Sequence, residues 1–134
     1  MSQQRFEIRF DEDAWQEYEA LDGSLKNNVD KYLERMEFRA DEIGKNLENY
    51  ASTKLSGCKE LKLKKYGIRI IYRVTDIHVD ILKVVYVLAV KARSKDFVFK
   101  IAHKRYRPLK GLSEGSIRNF LQSRKKYIKQ NDNL

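Results

Sequence analysis

The chain is poor in the residues that stiffen or staple small proteins: one cysteine, one proline and six glycines in 134 residues. Cys58 has no partner for an internal disulfide and no CxxC mate. A buried or idle thiol in a reducing cytoplasm is the expectation. His78 and His103 are the only two histidines, so no metal-ligand cluster and no cofactor are expected. No run of 18 apolar residues occurs, so no membrane-spanning helix is expected, and no membrane partner is expected. The opening MSQQRFEIRF is polar and alternating, without the apolar stretch of a signal peptide. No internal repeat or low-complexity linker interrupts the chain, and its length suits one hydrophobic core.

Charge, by contrast, is abundant and unevenly placed. Residues 1–50 hold 7 Lys/Arg against 13 Asp/Glu, a balance of −6. Residues 51–134 hold 21 against 6, a balance of +15. A merely solvated surface would mix the signs, so the asymmetry points to a nucleic-acid or acidic-protein partner.

Phe6, Ile8 and Phe10 alternate with Arg5, Glu7 and Arg9, which predicts a half-buried strand. Asp11 is placed to cap a helix whose first turn holds Glu12 and Asp13. Ala14, Trp15, Tyr18 and Leu21 follow at helical spacing, and Asp22-Gly23 stops them. Ser24 is the expected cap of a second helix bearing Leu25, Val29, Tyr32, Leu33 and Met36. The helical pattern either runs on or resumes through Ile43 and Leu47 to Tyr50. Residues 51–57 are turn-like.

Lys59 to Lys65 alternates again, with Leu61 and Leu63 on one side and Glu60, Lys62 and Lys64 on the other. A turn at Tyr66-Gly67 makes a hairpin with the next strand. There Ile68, Ile70, Tyr72 and Val74 face the core, and Arg69, Ile71 and Arg73 face away. Asp76 to Asp80 reads as a connection. Val84 to Val90 is apolar on both faces, as a covered central strand is. Asp96 to Arg105 has helical spacing, broken by Pro108 and Gly111. A basic last helix is expected from Ser116 to Lys129, with Ile117, Phe120, Leu121 and Ile128 on one side and Arg118, Arg124, Lys125, Lys126 and Lys129 around it. The end, QNDNL, should fray.

The segments KLSG, KELKLKKYGIRIIYRV and VLAVKARSKDFVFKIAHKR, with Asp76 between the last two, resemble the RelE/ParE superfamily of bacterial toxins. The resemblance spans residues 4 to 105. It implies an α+β fold, a small antiparallel sheet packed on an N-terminal helical hairpin, here with an extra C-terminal helix. Residues 1–106 would form the toxin domain and 107–134 a basic helical extension. It also implies a cognate antitoxin protein as partner and a cytoplasmic home. Oligomeric state is left open. RelE-like members cut mRNA in the ribosomal A site, whereas ParE-like members poison DNA gyrase without nuclease chemistry.

Carried over by position, the resemblance assigns catalysis to Lys62, Arg69 and Arg93. Lys59, Lys64, Lys65, Arg73, Phe99 and His103 are the accompanying RNA-binding candidates. Two positions depart from the pattern: Glu60 stands where a second lysine is expected, and Phe99 where a tyrosine is. RNA brings its own nucleophile, the 2′-hydroxyl, so cleavage asks for a base, charge stabilisation on phosphorus and a proton for the 5′ oxygen. Crowding by Lys59, Lys64, Lys65 and Arg69 would make Lys62 easier to deprotonate. The planar guanidinium of Arg69 or Arg93 suits phosphate. Glu60 is either an ion-pair partner or an alternative base. His103 and Tyr106 could replace the missing acid, and Phe99 could stack on a base. The leading expectation is a ribosome-dependent, metal-independent mRNA endonuclease. The alternatives are a gyrase inhibitor of the ParE kind or an inactive RNA- or protein-binding relative.

Overall fold

In the computed structural model, which describes residues 3–50 and 52–128, the first strand β1 (Phe6–Phe10) forms where the alternation predicts it. Asp11 caps helix α1 (Glu12–Glu19), accepting from the amides of Asp13 and Ala14. Helix α2 (Gly23–Arg39) is capped by Asp22, which accepts from the Leu25 amide at 3.0 Å. The expected cap, Ser24, lies in the first turn instead and donates to Asp22.

The helix does not continue to Tyr50. The buried Tyr72 hydroxyl donates to the carbonyls of Ala40 and Ile43, both at 2.9 Å, and these bonds hold the chain in a turn. Gly44 adopts a φ of +81° there, and a Cβ at this position would come within 2.7 Å of the same hydroxyl. A two-residue strand β2 (Lys45–Asn46) follows.

Strands β3 (Cys58–Leu63) and β4 (Ile68–Val79) form the expected hairpin. Strand β4 runs five residues past Val74, so the segment read as a connection from Asp76 is mostly strand. A bulge between Val74 and His78 is held by Thr75, whose hydroxyl donates to the Val84 carbonyl at 2.7 Å. The turn into β5 (Leu82–Lys91) is at Asp80, with a φ of +59°. Helix α3 (Lys95–Tyr106), a short 3-10 turn (Arg107–Leu109), helix α4 (Glu114–Gln122) and strand β6 (Lys125–Lys126) complete the order. The predicted last helix is therefore shorter. It ends at Gln122 with Ser123 as its C-cap, and Lys125 and Lys126 are extended. Lys129 and the QNDNL end lie outside the described residues.

The architecture is α+β, with six strands in the order β2-β3-β4-β5-β1-β6. The sheet is mixed and not purely antiparallel, because β1 runs parallel to β5, with Phe6 opposite Lys83 and Phe10 opposite Val87. One face packs against α1 and α2 through Phe6, Ile8, Phe10, Leu33, Met36, Ile70 and Tyr72. The other is covered by α3 and α4 through Ile71, Tyr86, Leu88, Val98, Phe99 and Leu121. Strand β5 supplies residues to both, as its apolar faces predict. Among the described residues no helix is long and apolar enough to cross a membrane.

Past Val87, β5 has no strand on its β1 side. Two side chains take that place. Glu17 of α1 accepts from the Val90 amide at 3.1 Å, and Arg105 of α3 donates to the Leu88 carbonyl at 3.0 Å. Glu17 and Arg105 then join each other through a two-armed bond at 2.9 and 2.7 Å. This pair satisfies the strand edge and ties the two helical layers together.

Candidate RNA-contact surface

Register places Lys62 directly opposite Arg69, and Arg69 directly opposite Lys91. Cross-strand partners share a face, so these three cations lie abreast across β3, β4 and β5. Their face is the one that carries α3, since the alternate residues Leu63, Ile68 and Ile70 point into the other core. Arg93 stands two residues past Lys91, just beyond the strand, and is exposed. Lys64 and Lys65 are exposed in the adjoining turn. The three residues assigned to catalysis thus come together at one end of the sheet. The face is not open along its length, however. The face on which Arg69, Ile71 and Arg73 were expected to turn away from the core is largely overlaid by α3 and α4, while Lys62 at this end stays exposed.

The charges within the group are not equivalent. Glu60, only 8% exposed, binds Arg69 at 2.6 Å, and the Arg69 side chain is itself 14% exposed. The Arg69 Nε is buried without a partner. Lys91 reaches Glu17 at 3.3 Å. Lys62 and Arg93 have no carboxylate partner among the described residues, so they carry the accessible positive charge. Arg93 lies over the ring of Phe97 at 4.8 Å, and Lys91 approaches the same ring at 5.9 Å.

The remaining candidates stand apart. Lys59 is opposite Tyr72, on the α2 side of the sheet, and donates to Asn46 at 3.0 Å. Arg73 shares the face of Arg69 but sits four residues further along β4. It packs on Tyr106 at 4.9 Å and bonds the Ser56 carbonyl at 3.3 Å. Gly57 beside it adopts a φ of +91°, which strains any side chain there. Phe99 is 4% exposed and belongs to the second core. His103 accepts the Lys54 amide on Nδ1 at 3.0 Å. Tyr106 is half-buried, and its hydroxyl is pushed above the ordinary tyrosine range, chiefly by burial.

Several exposed groups around this end were not among the sequence candidates. Phe97 is 41% exposed beside Arg93, and Tyr50 is 53% exposed on the loop ahead of β3. Lys95 and Lys100 flank the start of α3. Phe97 reads as one more apolar position of a helix, and only the exposure of that helix face separates it from core. Tyr50 sits in a segment that reads as helix, so its placement carried no signal.

No protein-family model matches the chain. It is 29% identical over 106 residues to an Escherichia coli protein bearing the name of a RelE-like toxin, covering 77% of this chain and 99% of that one. A free-state Escherichia coli RelE carrying two arginine-to-alanine substitutions is 26% identical, with a TM-score of 0.57 over 77% of this chain and 98% of that chain. A chain of the RelBE2 toxin–antitoxin complex from Mycobacterium tuberculosis, 21% identical, shares the fold with a TM-score of 0.52 over 69% of this chain and 94% of its own.

Proposed function

The chain belongs to the RelE/ParE superfamily of bacterial toxins, and on that premise we propose that it is the toxin of a type II toxin–antitoxin pair and cuts mRNA on the ribosome. The observation that carries this reading is the row of Lys62, Arg69 and Lys91 across three strands with Arg93 just beyond it, Lys62 and Arg93 being exposed. An RNA backbone laid across that end would meet Lys62 and Arg93 first. Lys62 is placed to take the 2′-hydroxyl proton or to hold the phosphate, and Arg93 to share the charge that develops on its oxygens. Arg69 lies under them, oriented by Glu60. The bond made is 2′-O to phosphorus and the bond broken is phosphorus to 5′-O, which leaves a cyclic phosphate and a 5′-hydroxyl. The partner that would silence the toxin is a cognate antitoxin, by analogy with the RelBE2 complex.

The test is induction in a bacterial host with mapping of mRNA 5′ ends in ribosome-engaged transcripts. New ends should appear within reading frames. Lys62→Ala and Arg93→Ala should each lower their yield by about 100-fold or more, in the range of a lost transition-state donor or general base, with the fold intact. Cuts at undiminished level in both variants would end the assignment. A second reading, RNA binding without cleavage, is favoured by the neutralised Arg69 and by the buried Phe99, which has no hydroxyl to donate. It expects growth arrest or RNA capture with no new ends.

A further inference from the structure

Beside the first two turns of α3 lies a cavity of about 400 Å³, lined by Tyr50, Ser52, Thr53, Lys95, Asp96, Phe99 and Lys100. The volume falls within the roughly 300–1,000 Å³ of small-molecule sites. We propose that this cavity is a subsite for one unstacked nucleotide of single-stranded RNA. The base lies on the Tyr50 ring, and its phosphates face Lys95 and Lys100. The proposal rests on the RNA-cutting reading above for its substrate class, and its test does not depend on cleavage.

Four observations support it. First, the Tyr50 ring and hydroxyl have no partner among the described residues, although the ring is half exposed. Second, the backbone of the described residues on either side of it is hydrogen-bonded. Tyr50 donates its amide to Thr53 at 2.8 Å, Asn49 pairs with Lys54, and the Ser56 amide donates to Asn49 at 2.9 Å. His103 and Lys110 fasten Lys54 from the α3 side. An aromatic platform flanked this way has less ordering entropy to lose when a base stacks on it. Third, Lys95 and Lys100 have no carboxylate partner among the described residues. Lys95 extends over the Phe99 ring at 5.6 Å, on the cavity wall. Fourth, Lys95 on the cavity wall follows the exposed Arg93 by two residues. Asp96, the one acid on the wall, also has no ion-pair partner among the described residues. As an acceptor-only group it favours base edges that present an amino group over uracil.

The experiment uses the full chain and a fluorescently labelled oligoribonucleotide of about eight nucleotides, with binding read by anisotropy. Tyr50→Ala should weaken binding roughly 5- to 100-fold, and Tyr50→Phe should bind like the parent. Lys95→Gln combined with Lys100→Gln should flatten the plot of log affinity against log salt by about 1.4. Circular dichroism on each variant confirms the fold, which an exposed Tyr50 does not support. Absence of RNA binding by the parent, unchanged binding by Tyr50→Ala, or unchanged RNA binding with weakened capture of the antitoxin would each overturn the subsite. A protein that leaves mRNA intact but loses RNA on Tyr50→Ala keeps the subsite and loses the nuclease reading. A protein that cuts mRNA while Tyr50→Ala binds as the parent does the reverse.

Discussion

Glu60 sets how much of the Arg69 charge is left free for the proposed RNA contact. Its carboxylate lies 2.6 Å from the guanidinium, and both side chains are largely withdrawn from water. Glu60→Gln would leave a mostly buried cation without its counter-charge, which should destabilise the fold by about 1–3 kcal/mol, below the 3–5 kcal/mol of a fully buried pair. It should also tighten RNA binding, because Arg69 would no longer be neutralised. Urea unfolding and the anisotropy measurement read the two effects separately. Tyr72 is the second residue whose role can be isolated. Tyr72→Phe removes the donor to two carbonyls and should cost about 1–3 kcal/mol by chemical denaturation. Alternation along β3 and β4 was enough to place Lys62 beside Arg69 and Glu60 within reach of both. It was not enough to show Phe99 buried, because that depends on α3 folding back over the sheet, a long-range fact.

At the scale of elements, the terminal segment departs most from its sequence pattern. An apolar period over Ile117, Phe120, Leu121 and Ile128 reads as one helix, but the chain leaves it at Ser123. The reason is tertiary. The Arg9 guanidinium takes the carbonyls of Gln122 and Arg124 at 3.2 and 2.9 Å, and Glu7 balances it from a nearly buried position. Lys125 and Lys126 then pair along β1, with the Tyr127 amide on the Ile8 carbonyl at 2.8 Å. The Tyr127 ring enters the first core edge-on to Tyr18 at 6.3 Å, while Ile128 is left exposed. Tyr127→Ala should destabilise the protein by about 3–5 kcal/mol, the range for aromatic truncation in a core. Thermal unfolding of the variant checks it. The helices α1 and α2 and the β3–β4 hairpin were legible because their apolar spacing and caps are local. The run from Ile43 to Tyr50 was misread because the bond from Tyr72 that ends the helix comes from about 30 residues away in sequence.

Across the whole molecule, the acidic half forms the helical layer on one face, and the basic half supplies the cationic end of the sheet and the layer opposite. That separation was readable from residue counts; the covering of the second face was not. The protonation of buried tyrosines is also a property of the whole. Tyr18, Tyr72, Tyr86 and Tyr127 are all held above the ordinary value of 10.0, in each case chiefly by desolvation. A phenol that resists ionising when folded, but not when unfolded, contributes stability that is complete below about pH 10. That contribution is lost progressively as pH rises toward the folded values. Melting temperatures measured from pH 8 upward should hold steady and then fall beyond pH 10. Tyr72→Phe should make that fall shallower.

Because β1 is made first but sits between β5 and β6, its backbone partners are the last to be synthesised. Phe6 must wait for Lys83, 77 residues later, and Phe10 for Lys125. At about 5–20 residues per second, the first of those delays is roughly 4–15 seconds of translation. A nascent copy therefore cannot finish its sheet, nor fasten α1 and α3 through Glu17 and Arg105, until nearly all of the chain has been made. The interval between the start of synthesis and a complete sheet is thus written into the order of its strands.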